Sequence, residues 1–217
     1  MTHFGMLLSV DLSSGTSASR PLDKMILRRW LGGRALNVAV LHAFLCGAGN
    51  GGDSTTDNGP DVDPLAPENP ILFSCGLLTG TPAPSSSRLH INAVSPLTGL
   101  LGSSNIGGNI GMQLHAAGYG TIVVRGRAER PVWLDIGPAG ACLRSAEDLW
   151  GLETGQTHEA LKRLLPGTDF ESLSIGPAGE TGAAFACIVS DRDHAAGRTG
   201  MGAVMGAKRL KAIVVRG

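Results

Sequence analysis

The sequence has little of what several common binding functions require. Only 4% of its 217 residues are aromatic, and 18 basic residues are balanced by 18 acidic ones, for a formal net charge of +0. Nucleic-acid binding depends on excess positive charge, and single-strand binding depends on aromatic stacking platforms. No apolar run approaches the roughly 20 residues that a membrane-spanning helix needs. We therefore expect no nucleic acid and no membrane among its partners.

The few cysteines exclude further chemistry. Cys46, Cys75, Cys142 and Cys187 are widely spaced, with no CxxC pair and no neighbouring histidine cluster. Zinc and iron–sulfur sites need such clustering, so these residues are interpreted as reduced, small apolar side chains. The N-terminus shows no basic stretch followed by an apolar one, as a secretory signal would. The sequence thus predicts a cytoplasmic protein.

Nucleotide and hydrolase signatures are also missing. The glycines at 200, 202 and 206 have the wrong spacing for GxGxxG, and no GxxxxGK[ST] or GxSxG motif occurs. The six histidines are scattered along the chain, and none stands in a catalytic signature.

Glycine, by contrast, is abundant. The 32 glycines concentrate in turns, above all at 95–99, 105–108 and 195–200, and Arg88 stands shortly before the first of these. Unsubstituted backbone N–H groups at such turns bind phosphate-like anions, and arginine adds a forked, permanent cation. The sequence therefore predicts a platform for a polyanionic cofactor. The alternatives are a solvated arginine, ordinary turns, and a small-residue helix start packed against a neighbour.

Short apolar runs bounded by Gly or Pro indicate a strand-rich single domain over residues 1–217. Strands are predicted at 6–11, 71–75, 89–94, 121–125, 132–136, 173–175, 184–189 and 212–215, and helices at 30–45, 110–117, 157–165 and 202–210. The pentapeptide IGPAG occurs at 136–140 and at 175–179, which suggests an internal pseudo-duplication. The polar stretch at about 47–62 has almost nothing to bury and is predicted to be a mobile surface insertion.

Taken together, the motifs resemble the N-terminal domain of the tungsten-containing aldehyde:ferredoxin oxidoreductase family. The resemblance covers nearly the whole chain, and the matching segments are 30–34 (WLGGR), 63–69 (DPLAPEN), 78–84 (LTGTPAP), 95–99 (SPLTG), 117–119 (AGY), 149–151 (LWG), 175–180 (IGPAGE) and 196–208. The resemblance implies an α+β fold of two β-sheets with a few short helices, related by approximate duplication. It also implies a tungsten (or molybdenum) ion held by two pterins, with magnesium bridging their phosphates.

The resemblance also implies a set of site residues. Arg88, Asn105 and Gly107 match the first group of pterin contacts, and the second group is His194, Ala195 and Gly197. The backbone carbonyls of Asn105 and Ala195 are then expected to bind magnesium, which prefers oxygen ligands.

The sequence departs from the family pattern at two places. His194 stands where the family usually has arginine, with Arg192 and Arg198 as possible substitutes. The segment Cys75-Gly76-Leu77 replaces the usual Gly-Pro step before Leu78. A histidine offers fewer donors than a guanidinium and titrates near neutrality.

In the family, a 4Fe-4S cluster and the catalytic acid–base residues lie in later helical domains, beyond the strand predicted at 212–215. The expected function is thus the cofactor-base part of an enzyme that oxidises aldehydes to carboxylic acids. Helical catalytic domains or a subunit carrying the iron–sulfur cysteines are expected partners, with a ferredoxin-like electron acceptor. Such a part should not be active alone, and should expose apolar surface. The alternative is a non-catalytic, standalone binding module for an anion, a pterin or a partner subunit.

Overall fold

The computed structural model describes residues 5–46 and 62–217. The predicted insertion at 47–62 lies, apart from its last residue, outside this range. In chain order the described elements are β1 (Met6–Asp11), β2 (Thr16–Pro21), α1 (Lys24–Trp30), α2 (Gly33–Cys46), β3 (Ile71–Cys75), β4 (Leu89–Val94), β5 (Leu101–Ile106), α3 (Ile110–Ala116), β6 (Thr121–Arg125), β7 (Val132–Gly137), β8 (Gly140–Ser145), α4 (Thr154–Leu164), β9 (Glu171–Ser174), α5 (Pro177–Glu180), β10 (Ile188–Ser190), β11 (His194–Ala196), α6 (Met201–Ala207) and β12 (Leu210–Val215).

The strands form two six-stranded sheets with the same topology. The first has the order β2-β1-β6-β3-β4-β5 and the second β8-β7-β12-β9-β10-β11, so each strand of one sheet has a counterpart six positions later. In both sheets one inner pair is parallel, β1 with β6 and β7 with β12, and every other pair is antiparallel. The predicted α+β fold and its internal duplication are confirmed.

The central strands are buried on both faces, because one face of each sheet packs into a core shared by the two sheets and a helix covers the other face. Ile71 and Phe73 of β3 point into a shared core between the sheets, where Ile213 of β12 also lies. The alternate residue Leu72 packs on the outer face beneath α2. On the second sheet, Trp133 occupies the matching outer layer beneath α4. Period-two alternation along these buried strands therefore supplies two opposed packing surfaces.

Several element boundaries differ from the sequence prediction. The helix predicted at 30–45 corresponds to α2, which begins only at Gly33. The preceding helix α1 was not predicted, and it is separate because Leu31 takes a left-handed conformation with φ of 59° and ends it. The strand predicted at 184–189 is only β10, and Phe185 before it is exposed. The two IGPAG segments are not structural counterparts, since one closes the β7–β8 hairpin and the other leads into α5. Gly and Pro recur there because turns require them.

Candidate functional site

The two predicted glycine loops occupy equivalent positions in the two halves. Leu89 pairs with Ile106 in the first sheet, and Ile188 pairs with Ala196 in the second. In each half the last of these strands is followed by a glycine, Gly107 or Gly197, and then by a short helix. Asn105 and Ala195 thereby become counterparts, at strand ends instead of within loops.

These two strand ends meet at a seam between the sheets. The Arg198 backbone N donates to Ser104 Oγ at 3.3 Å, and Ser95 Oγ donates to the Thr199 carbonyl at 2.9 Å. The His194 ring lies against Gly107, because a Cβ built on that glycine would stand 3.0 Å from the His194 Cδ2. The seam therefore brings His194, Ala195 and Gly197 of one half beside Asn105 and Gly107 of the other.

Arg88 is oriented by a neutral partner. Its Nη1 donates to Asn105 Oδ1 at 2.7 Å, and both residues are exposed. Arg88 takes part in no ion pair of the described residues, so its positive charge is not neutralised by a carboxylate. A guanidinium held by an amide keeps its remaining donors for an anion.

The two glycines between β11 and α6 have different roles. A side chain on Gly197 would meet nothing within 4 Å, so the absence of one leaves the backbone open to solvent. Gly200, with φ of 69°, is required by packing, since its Cβ would stand 1.9 Å from the Ala184 carbonyl oxygen. Gly197 is therefore a position where backbone can approach a ligand closely, whereas Gly200 is structural.

The two candidate substitutes for the family's arginine differ in availability. The Arg192 guanidinium is engaged by the Glu159 carboxylate on α4. Arg198 is exposed and takes part in none of the ion pairs formed by the described residues. Arg198 is thus the better placed cation beside His194.

The sequence analysis missed one residue of this face, His90. It is the second residue of β4, two positions after Arg88, which directly precedes the strand, so both side chains point to the same side of the sheet. Burial, and then the charges of Arg34 and Arg88, lower the pKa of His90 below its ordinary value. The spacing from Arg88 to His90 was visible in the sequence, but the approach of Arg34 from α2 was not.

The donors present suit a cofactor that brings its own metal ligands. Within residues 5–46 and 62–217 no three His, Cys, Asp or Glu side chains come together in a group able to hold a metal ion. A metal bound at this face would take its ligands from backbone oxygens or from the cofactor itself. Exposed cations and uncovered glycine backbone fit the phosphates of such a group.

Large apolar side chains are exposed on equivalent loops of the two halves. Leu77 and Leu78 follow β3 and are 46% and 57% exposed, and Phe185, in the counterpart loop, is 72% exposed. None of the helices in the described ranges is long and apolar enough to cross a membrane.

Comparison with known proteins identifies the family. Residues 7–217 match the family model of the aldehyde ferredoxin oxidoreductase N-terminal domain. The chain is 39% identical over 215 residues to a tungsten-containing aldehyde ferredoxin oxidoreductase of Pyrococcus furiosus, covering 99% of this chain and 33% of that protein. It is 34% identical to an aliphatic sulfonate oxidoreductase, WOR-like subunit, of the same organism, over 98% of this chain and 34% of that subunit.

A solved structure shows the same architecture. The active site complex BamBC of benzoyl coenzyme A reductase contains a chain that is 36% identical, with a TM-score of 0.88, over 99% of this chain and 31% of that one. The protein belongs to the aldehyde ferredoxin oxidoreductase family and corresponds to its N-terminal domain. The chain spans about a third of the length of these relatives.

Proposed function

We propose that this chain is the cofactor-base domain of a tungsten (or molybdenum) bis-pterin oxidoreductase that oxidises aldehydes to carboxylic acids. The observation that carries the proposal is the seam, where two equivalent strand-to-glycine turns face each other beside an unneutralised Arg88. Two similar half-sites suit two similar pterins. The tungsten-containing relatives support the same assignment.

Each half supplies its own contacts. Arg88 and Gly107, with Asn105 orienting the guanidinium, would hold one pterin, and Gly197 with His194 would hold the other. The backbone carbonyls of Asn105 and Ala195, counterparts in the duplicated fold, would bind magnesium. Bound there, the metal and pterins would supply the two-electron oxidation chemistry. This chain's residues bind, orient and electrostatically support the group.

The remaining parts of the reaction belong to segments that the longer relatives contain. We propose that helical domains with a 4Fe-4S cluster accept the electrons and pass them to a ferredoxin-like acceptor. The exposed Leu77, Leu78 and Phe185 would pack against those domains. The four cysteines are unpaired, and three are exposed, which suits the reducing cytoplasm that we propose as the compartment.

One observation favours a second function, a binding module without redox chemistry. The His194 ring lies over the glycines of the opposite half, since a Cβ on Gly108 would stand 3.3 Å from its Nδ1. An imidazole in that place covers backbone that a pterin would otherwise approach. A module of this kind would bind a smaller anion at Arg88 and contain no stoichiometric metal.

Elemental analysis separates the two functions. The protein is purified from its own host with whatever copurifies, and tungsten, molybdenum, magnesium and phosphorus are measured per chain. The oxidoreductase proposal predicts stoichiometric tungsten or molybdenum with phosphorus, and a severalfold loss of both in Arg88→Ala. Arg130→Ala is the matched control, because Arg130 is exposed and pairs with Glu147 on the second half. If the protein contains no metal but copurifies with the same partner proteins, only the binding-module function remains.

A further inference from the structure

We propose that Arg144 and Arg216 form a binding site for a small monocarboxylate, in an open cavity at the end of the β7–β8 hairpin. The cavity has a volume of about 340 Å³ and lies on the outer face of the second sheet. None of its lining residues belongs to the seam, so the site is separate from the face that would hold the cofactor. The proposal therefore goes beyond the proposed function and does not depend on it.

A buried carboxylate holds the two arginines in place. Asp135 lies on the face of β7 opposite the shared core, and its side chain is 0% exposed. Its Oδ2 accepts from Arg144 Nε at 2.8 Å, and its Oδ1 accepts from Arg216 Nη2 at 2.6 Å. The Arg144 guanidinium also lies 5.5 Å from the centre of the Trp133 ring. Both guanidiniums are therefore positioned before a ligand binds, which lowers the entropic cost of binding.

The cavity carries an excess positive charge. Two guanidiniums and one carboxylate are the charged groups that line it, and the carboxylate is the buried one, whereas the side chains of Arg144 and Arg216 are 52% and 30% exposed. Among the described residues neither arginine pairs with a second carboxylate. Asp135 accepts one hydrogen bond from Arg144 and two from Arg216. A guanidinium has more N–H groups than these bonds use, so each arginine keeps donors for an anion.

The duplicated fold provides an internal comparison. In the first half, Arg125 occupies the position equivalent to Arg216 and pairs with Asp11 at 3.1 Å. The residue equivalent to Asp11 is Gly137, and a Cβ there would stand 3.2 Å from Arg216 Nη2. Bare backbone at Gly137 thus leaves room for Arg216 to reach Asp135. The topology alone does not require two arginines to share one buried carboxylate.

The cavity favours a small carboxylate over a phosphate-like anion. The forked donors of a guanidinium match a planar carboxylate, and a single excess charge matches a monoanion. A dianion would leave uncompensated negative charge beside the buried Asp135. The other lining residues between Asp135 and the thiol of Cys142 are small, and they are Gly137, Pro138, Ala139, Gly140 and Ala141. They leave room for a short aliphatic chain on the carboxylate.

Cys142 provides a chemical probe of the cavity. It is exposed, it lines the cavity, and it lies two residues before Arg144 on β8, so both side chains point to the same side of the sheet. Iodoacetate and iodoacetamide both alkylate a thiolate at their methylene carbon with release of iodide, but only iodoacetate carries a carboxylate. The ratio of their rate constants therefore measures attraction for a carboxylate, because the fraction of thiolate cancels.

The first experiment measures this ratio at Cys142 by peptide mass spectrometry, at neutral pH and constant ionic strength. The ratio of iodoacetate to iodoacetamide rates in the folded chain should exceed that in the urea-unfolded chain at least about threefold, since both guanidiniums attract the carboxylate. Arg144→Ala and Arg216→Ala should each lower the ratio at least about twofold. The matched control is Arg130→Ala, which removes an exposed arginine from the loop before β7 and should leave the ratio unchanged.

A competition experiment requires no substitution. Propionate should slow the reaction of Cys142 with iodoacetamide in a saturable way, and acetate should need a higher concentration because it has less apolar surface to bury. Sulfate at the same ionic strength should slow the reaction less than about twofold. The exposed Cys187 in the same sample lies outside the cavity and should react at an unchanged rate.

Failure of propionate to protect Cys142 in the unaltered chain, or equal rate ratios in folded and unfolded chain, would overturn the site. Stronger protection by sulfate than by propionate would overturn the carboxylate class.

Protein purified from its own host with its partners distinguishes two sources of the carboxylate. A free acid predicts that added propionate protects Cys142 there as it does in the chain alone. If Cys142 is already unreactive and reacts only after the partners are removed, an acidic side chain of a partner fills the cavity and the free acid is refuted. None of these measurements depends on bound metal or phosphorus, so the site and the proposed function can fail separately.

Discussion

The buried ion pair between Lys211 and Glu180 should be the most sensitive electrostatic contact in the second half. Lys211 is 0% exposed and Glu180 is 6% exposed. The Lys211 Nζ also donates to the carbonyls of Leu152 and Ile175, each at 2.7 Å. Glu180 in turn accepts from the Gly151 backbone N at 2.8 Å. One carboxylate therefore neutralises the ammonium and links α5 to the turn before α4.

Glu180→Ala removes the only carboxylate that contacts the Lys211 ammonium in the described structure. Burial already lowers the pKa of Lys211, and the bond to Glu180 opposes that change. Without the carboxylate, the buried cation must either deprotonate or remain unpaired, at a cost of about 3–5 kcal/mol. For a chain of this size the loss corresponds to a fall in Tm of about 10 °C.

The assay is urea unfolding of the chain at pH 7, followed by tryptophan fluorescence, to which the buried Trp133 contributes. A double-mutant cycle with Lys211→Met isolates the pair, because the double variant leaves no uncompensated charge. The two single losses should exceed the loss in the double variant by at least about 2 kcal/mol. Additive losses, or a Glu180→Ala loss below about 1 kcal/mol, would refute the argument from burial.

Three further predictions concern single positions. Gly197→Ala should fold normally, since its Cβ meets nothing within 4 Å, yet should lower bound metal and phosphorus severalfold, while Gly155→Ala, equally unhindered, should change neither. Lys208 has its pKa lowered by burial to about 8 from 10.5, so the unfolded state binds more protons between those values. The free energy of unfolding should consequently rise from pH 8 to 10.5, and this rise should be absent in Lys208→Met. Urea midpoints measured across that pH range would show the difference, and parallel pH curves for the two proteins would contradict it. Gly206→Ala places a Cβ 1.9 Å from the Gly179 carbonyl oxygen, so α5 and α6 must separate. Calorimetry should show a loss of about 3 kcal/mol in the free energy of unfolding, and an unchanged Tm would rule out that contact.

The centre of the first sheet was predictable because its strands are mostly apolar. Residues 71–75 and 121–125 are buried along nearly their whole length, and short apolar runs of that length favour strands. The edge strands β5 and β11 were missed. Their sequences, LGSSNI and HAA, carry mostly small or polar residues, and only pairing with neighbours makes them strands.

The candidate site was predictable only in part for a related reason. Gly107 and Gly197 stand out in the sequence because a turn next to a ligand needs bare backbone. Their equivalence was hidden, since it depends on strand register and not on any shared peptide. The approach of Arg34 to His90 joins residues of a helix and a distant strand, and no local pattern encodes such a contact.

Because the site lies at the seam between β5 and β11, ligand binding is coupled thermodynamically to the association of the two halves. Few direct bonds cross it near the site, among them those of Ser95 and Ser104. A ligand that contacts both halves acts there as a removable cross-link, and at a hundred times its Kd it adds about 2.7 kcal/mol to their association. By the same linkage, a substitution that weakens the association of the two halves also weakens ligand binding, and the coupling free energy is the same in both directions.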